Sequence, residues 1–126
     1  MDYSSIKSVN FNAPNDWEIR VGEFKSFADL KAFCNSLPAP DTNSALYTFL
    51  NKANQVSSVN YSWSSYVLKH KVEEFSKKNK INEYVSNTGF IVAAVQMGFT
   101  AKRGLTAKDN CPNWYFNISK KSIKEI

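Results

Sequence analysis

His70 is the chain's one histidine, and Glu73 and Glu74 follow it three and four places on. On a helix those spacings bring side chains together, and an imidazole beside a carboxylate is the pairing from which a general base is built. A base also needs a nucleophile to activate and donors for the charge that develops. The sequence supplies neither at a recognisable spacing. Cys111 stands beside Pro112 with no neighbour that would lower its pKa. There is no GxGxxG and no phosphate loop ending in Lys-Ser/Thr. One histidine and two distant cysteines, Cys34 and Cys111, make neither a multi-histidine centre, a Cys-rich zinc site nor a disulfide scaffold. The expectation is a protein that is not an enzyme and that holds no metal and no cofactor.

Charge offers more. The 126 residues carry 16 basic and 11 acidic side chains, a formal net charge of +5. Residues 1–60 are close to neutral, so the positive field belongs to residues 61–126. Such a field speeds encounter with anionic partners. Arg20 and Arg103 are the only arginines, and the rest of the positive charge is lysine. Lysine is a point charge without the planar fork that reads guanine edges, so contact with a nucleic-acid backbone is expected rather than base readout. Lys69, Lys71, Lys77, Lys78, Lys80, Lys102, Arg103 and Lys108 are the candidate nucleic-acid-binding residues. The plain alternative is a solvated lysine face that serves solubility.

These residues need elements to position them. The composition, 43% hydrophobic and 14% aromatic, suits one folded domain over residues 1–126. Residues 1–16 are polar and read as an irregular lead-in. Trp17 to Gly22 alternates apolar and polar, the pattern of a short strand. Ser26 caps a helix carrying Phe27, Leu30, Phe33 and Cys34, which ends near Pro38. Asp41 or Thr42 caps a second helix with Leu46, Phe49 and Leu50. Ser62 caps a third over residues 63–77. On its wheel, Ser65, Leu68, Val72 and Phe75 form the core stripe, while Trp63, Val67, His70 and Glu74 fall opposite with Tyr66 beside them. Ser86 or Asn87 caps a fourth helix over residues 88–97, apolar on all sides and therefore buried, with Gly98 ending it. Residues 99–103 and 113–118 form a β-hairpin in which Trp114, Phe116 and Ile118 share one face and Tyr115 and Asn117 the other. Residues 119–126 are a basic tail with a last helical turn. The fold class is α+β, mainly α, with a C-terminal two-stranded hairpin. Its order is compatible with a winged helix, although residues 88–97 lack the long polar side chains that a groove reader needs.

The second face of the third helix is the other candidate. Trp63, Tyr66, Val67 and His70, ringed by lysines, have the composition of a protein interface if the N-terminal helices leave them uncovered. Aromatics beside lysines also suit stacking with single-stranded bases.

The pattern Ser65-Tyr66-x-Leu68-Lys69-His70-x-Val72-Glu73, followed by Tyr84-Val85-Ser86-Asn87, Phe90-Ile91, Ala93-Ala94 and Gly98-Phe99, resembles small proteins of phages and mobile elements over residues 61–118. The resemblance implies a compact intracellular protein that acts on host machinery by binding, inhibition of a nucleic-acid-guided defence system being one such role. It brings no catalytic residues. No apolar run is long enough to span a membrane, and the first residues lack the basic and apolar regions of a signal peptide, so a cytoplasmic protein is expected. The first expectation is a non-enzymatic module whose basic C-terminal half contacts nucleic acid or a complex that handles it. The alternatives are a factor that inhibits or recruits a host protein through the Trp63/Tyr66/Val67/His70 face, and a protein that seals that face against a copy of itself.

Overall fold

A serine stands at the start of every helix bounded within residues 21–104 and 113–126, the part of the chain that the structure, a computed structural model, describes. Ser26, Ser44, Ser64, Ser86 and Ser119 each accept a hydrogen bond from the backbone N–H three residues on. Such a cap satisfies a donor that the first turn leaves without a partner, and its loss costs about 1 kcal/mol. The helices are α1 (Phe27–Asn35), α2 (Ala45–Lys52), α3 (Ser65–Lys78), α4 (Asn87–Gln96) and α5 (Lys120–Lys124). Between α4 and α5 lie two short strands, β1 (Ala101–Lys102) and β2 (Tyr115–Phe116).

The serine-capped starts of α1 and α4 are those expected, whereas two others fall later. Asp41 is not the cap of α2: its carboxylate accepts from Asn43 N–H in a turn just before it. Ser62 does not cap α3. Its N–H donates to Asn60 Oδ1, and the helix begins two residues later at Ser64. Glu83 adds to the start of α2 from the link between α3 and α4, its carboxylate accepting from Ala45 and Leu46 N–H at 3.3 and 3.1 Å. Residues 21–23 are helical, which corrects the strand expected to end at Gly22; residues 17–20 lie outside the described part.

α4 is the centre of the molecule. Residues from Thr88 to Val95 are all buried, and α1, α2 and α3 pack around them. The helix ends in a Schellman motif: Gly98 takes φ 98°, its N–H donates to Val95 O, and Phe99 N–H donates to Ala94 O. Gln96 latches α1 to it, its Nε2 donating to the carbonyls of Cys34, Leu37 and Pro38. The helix, helix, hairpin order of a winged helix is therefore present, but the helix that would enter a groove is the core.

β1 and β2 pair antiparallel, Ala101 opposite Phe116 and Lys102 opposite Tyr115. The other edge of β2 is taken by residues 55–65, through Val56 N–H to Asn117 O, Asn60 N–H to Phe116 O and Ser65 N–H to Trp114 O. Trp114, Phe116 and Ile118 point into the core as their alternation requires. Asn117 lies on the opposite face, with Tyr115, and yet is not left to solvent. It is buried, accepts from Thr100 N–H at 2.8 Å and donates to Val56 O, so its amide ties three segments together. Among the described residues no helix is long and apolar enough to cross a membrane.

Candidate functional site

Because α3 begins at Ser65, Trp63 precedes the Ser64 cap and does not lie on the helical wheel. Its ring turns toward α5. The ammonium of Lys71 lies 5.2 Å from the ring centre and that of Lys120 lies 5.1 Å from it, both within cation–π range. Beside the ring is a hollow of about 180 Å³. Trp63, Phe49, Phe75, Ile123 and Ile126 give it apolar groups, and Lys71, Lys78 and Lys124 surround it with one acidic side chain, Glu74.

The sequence explains why α5 takes part. Ser119 accepts from Ser122 N–H, which fixes the turn. Ile123 is buried against the core, and Ile126 packs beside it. Lys120 and Lys124, four apart, then share the exposed side of the same short helix. The last helical turn expected in the basic tail of residues 119–126 is α5, but nothing in the sequence pattern alone marks Lys120, Ile123, Lys124 and Ile126 as site residues. The available signal is a serine cap, then isoleucines three apart on either side of Lys124.

The remaining candidates separate. Tyr66, Val67 and His70 stay together on α3 and are exposed, at 52%, 37% and, for the His70 side chain, 49%. Tyr66 and His70 meet edge to face at 4.7 Å between ring centres. His70 Nδ1 lies 3.1 Å from Glu73 Oε1, and the same oxygen accepts from Lys69 Nζ at 3.0 Å. Tyr84, 56% exposed, stands nearby, its ring centre 5.2 Å from the Lys69 ammonium. Lys69 is thus no free phosphate contact. It is only 7% exposed and sits between a carboxylate and the rings of Tyr66 and Tyr84.

Arg103 is also turned inward. Its guanidinium donates to the carbonyls of Val21, Gly22, Phe24 and Asn113, at distances between 2.7 and 3.2 Å. It holds the end of the helical residues 21–23, where orphan carbonyls need donors. Lys102 beside it is exposed, as are Lys77, Lys78 and Lys80. Lys108 and Cys111 lie outside the described residues. Cys34 is buried, and burial pushes its thiol up to about 12, so it is an inert core side chain rather than a nucleophile.

The site that emerges is a pair of surfaces on α3. One is the lysine-rimmed hollow shared with α5; the other is the aromatic strip of Tyr66, Val67, His70 and Tyr84. Compared with family models, curated proteins and solved structures, the chain matches none.

Proposed function

We propose that this protein is a non-enzymatic binding module, of the phage type that residues 61–118 resemble, and that its basic C-terminal half contacts the nucleic-acid backbone. One observation carries the reading. Lysines from elements distant in sequence, Lys71 and Lys78 on α3 and Lys124 on α5, line one hollow with one acidic side chain, Glu74, and Lys120 on α5 lies over the Trp63 ring beside it. Like charges gathered this way repel one another, and a polyanion relieves that repulsion while releasing its own counterions. Lys77, Lys80 and Lys102 extend the exposed positive surface.

The test is fluorescence anisotropy with labelled single-stranded and duplex DNA and with RNA, at low and physiological salt. Micromolar or tighter binding that weakens steeply with salt supports the reading. No binding at low salt overturns it.

A second reading rests on the exposure of Tyr66, Val67 and Tyr84, which form an apolar strip that nothing in the described fold covers. It assigns the protein to inhibition or recruitment of a host protein through that strip. Such binding tolerates salt and is lost on Tyr66→Ser, which separates it from the first reading.

A further inference from the structure

The hollow beside Trp63 has a shape and chemistry that lysine contact with phosphates does not require. We infer that it seats one nucleobase of a single strand; this rests on the nucleic-acid reading above and narrows its ligand to unpaired chain.

Size comes first. A hollow of about 180 Å³ is below the roughly 300–1,000 Å³ of sites for drug-sized ligands, and suits one planar ring system. Its lining sets the Trp63 and Phe75 rings, with Ile123 and Ile126, among charged side chains, whereas a pure phosphate track needs only the cations. Phosphates alone leave that surface wet. A base covers it, and every base has a π-face to offer.

Charge narrows the choice further. Lys71, Lys78 and Lys124 stand around the hollow, so its occupant carries negative charge next to an apolar body. Glu74 stands among them, and a carboxylate only accepts hydrogen bonds. An aliphatic or aromatic acid brings no donor to meet it. A nucleobase brings ring or amino N–H groups within the same nucleotide that carries the phosphate, and a carboxylate accepting from a base edge is a known pairing. The Lys71 and Lys120 ammoniums now over Trp63 are each held by an interaction worth about 0.5–2 kcal/mol. A base that enters takes ring surface from one of them, and the displaced ammonium moves to the adjoining phosphate. In a duplex the bases are stacked and paired, so none reaches the hollow without being unstacked first.

The experiment compares four probes by anisotropy or competition at one salt concentration: a short oligothymidylate, an abasic oligomer of the same length, the corresponding duplex, and thymidine monophosphate. The oligothymidylate is expected to bind roughly 5- to 150-fold more tightly than the abasic strand, the range that base–aromatic stacking supplies. Trp63→Leu is expected to collapse the ratio of oligothymidylate to abasic affinity toward one, and Trp63→Phe, which keeps a ring, to restore part of it. Equal affinity for the oligothymidylate and the abasic strand, or tighter binding of the duplex, overturns the base seat and leaves the backbone reading standing. Monophosphate binding as tight as the oligomer overturns the strand and leaves a nucleotide pocket. Failure of every probe to bind overturns the backbone reading, and the seat with it.

Discussion

Arg103 and Trp114 converge on one carbonyl. The guanidinium carbon lies 4.4 Å from the centre of the indole ring, and Arg103 Nη2 and Trp114 Nε1 both donate to Val21 O, at 3.0 and 3.2 Å. The hairpin thereby holds residues 21–24 against the core, and the arginine lies over a tryptophan that is almost wholly buried. Lysine has neither the fork nor the plane to replace it. Arg103→Lys is expected to destabilise the fold by about 2–3 kcal/mol, the scale of charge-assisted hydrogen bonds. Thermal unfolding should show a fall of several degrees. The same variant, which keeps the charge, should leave the salt dependence of nucleic-acid binding unchanged in the folded protein. An unchanged melting temperature would return Arg103 to the ligand-binding set.

Lys80 stores strain at the end of α3. It adopts φ 61°, the left-handed region where a side chain crowds the backbone, so that Lys80 N–H reaches Lys77 O and Ile81 N–H reaches Ser76 O. This is the position at which a helix usually places glycine. Lys80→Gly is expected to stabilise the protein by about 1 kcal/mol in chemical unfolding, since the strained conformation costs glycine nothing. A loss of stability would mean that the lysine side chain makes contacts worth more than the strain.

Cys34 gives the fold a pH signature. Its thiol is raised from 9.0 to about 12 in the folded protein because burial disfavours the thiolate. Below pH 9 the thiol is protonated whether the chain is folded or not, and it adds no pH dependence. Between pH 9 and about 12 the unfolded chain loses the proton while the folded one keeps it, so stability falls as pH rises. The slope from this one group approaches about 1.4 kcal/mol per pH unit. To isolate this one group, the measurement is the difference between the native chain and Cys34→Ala. The native chain should lose stability more steeply above pH 9. Parallel curves would show that the thiol ionises within the fold.

The order of helices and the hairpin were legible because apolar spacing and serine caps repeat the same message along the chain. Gly98 and the all-apolar α4 left little choice about the centre. The sites were legible only in part, because composition gives the charge of a side chain and not its direction. Lys69 and Arg103 read as free cations, yet one is taken by Glu73 and two tyrosines and the other by carbonyls from residues 21–24. The two-residue slip at the start of α3 mattered most. With Ser62 as cap, Trp63 shares a face with His70; with Ser64 as cap, Trp63 is outside the helix and turns to Lys71 and Lys120. Several serines and asparagines before α2 and α3 can each close a local turn, so the choice among them rests on long-range partners such as Glu83.

That slip also sets the last prediction, since it divides one expected aromatic cluster into two surfaces that respond differently to salt. Lysine contacts with a single strand contribute about 0.7 each to the slope of log affinity against log salt. Replacing Lys71 and Lys124 together with glutamine should flatten the slope by about 1.4. Both side chains reach the surface, so the fold should tolerate the change. Tyr66→Ser, on the other face of α3, should leave the slope unchanged and the stability within about 0.5 kcal/mol of the native value, as exposed substitutions do. The opposite pattern, a slope untouched by the lysine pair and binding abolished by Tyr66→Ser, would transfer the function to the Tyr66, Val67 and His70 strip. Both variants need only equilibrium titrations over a range of salt.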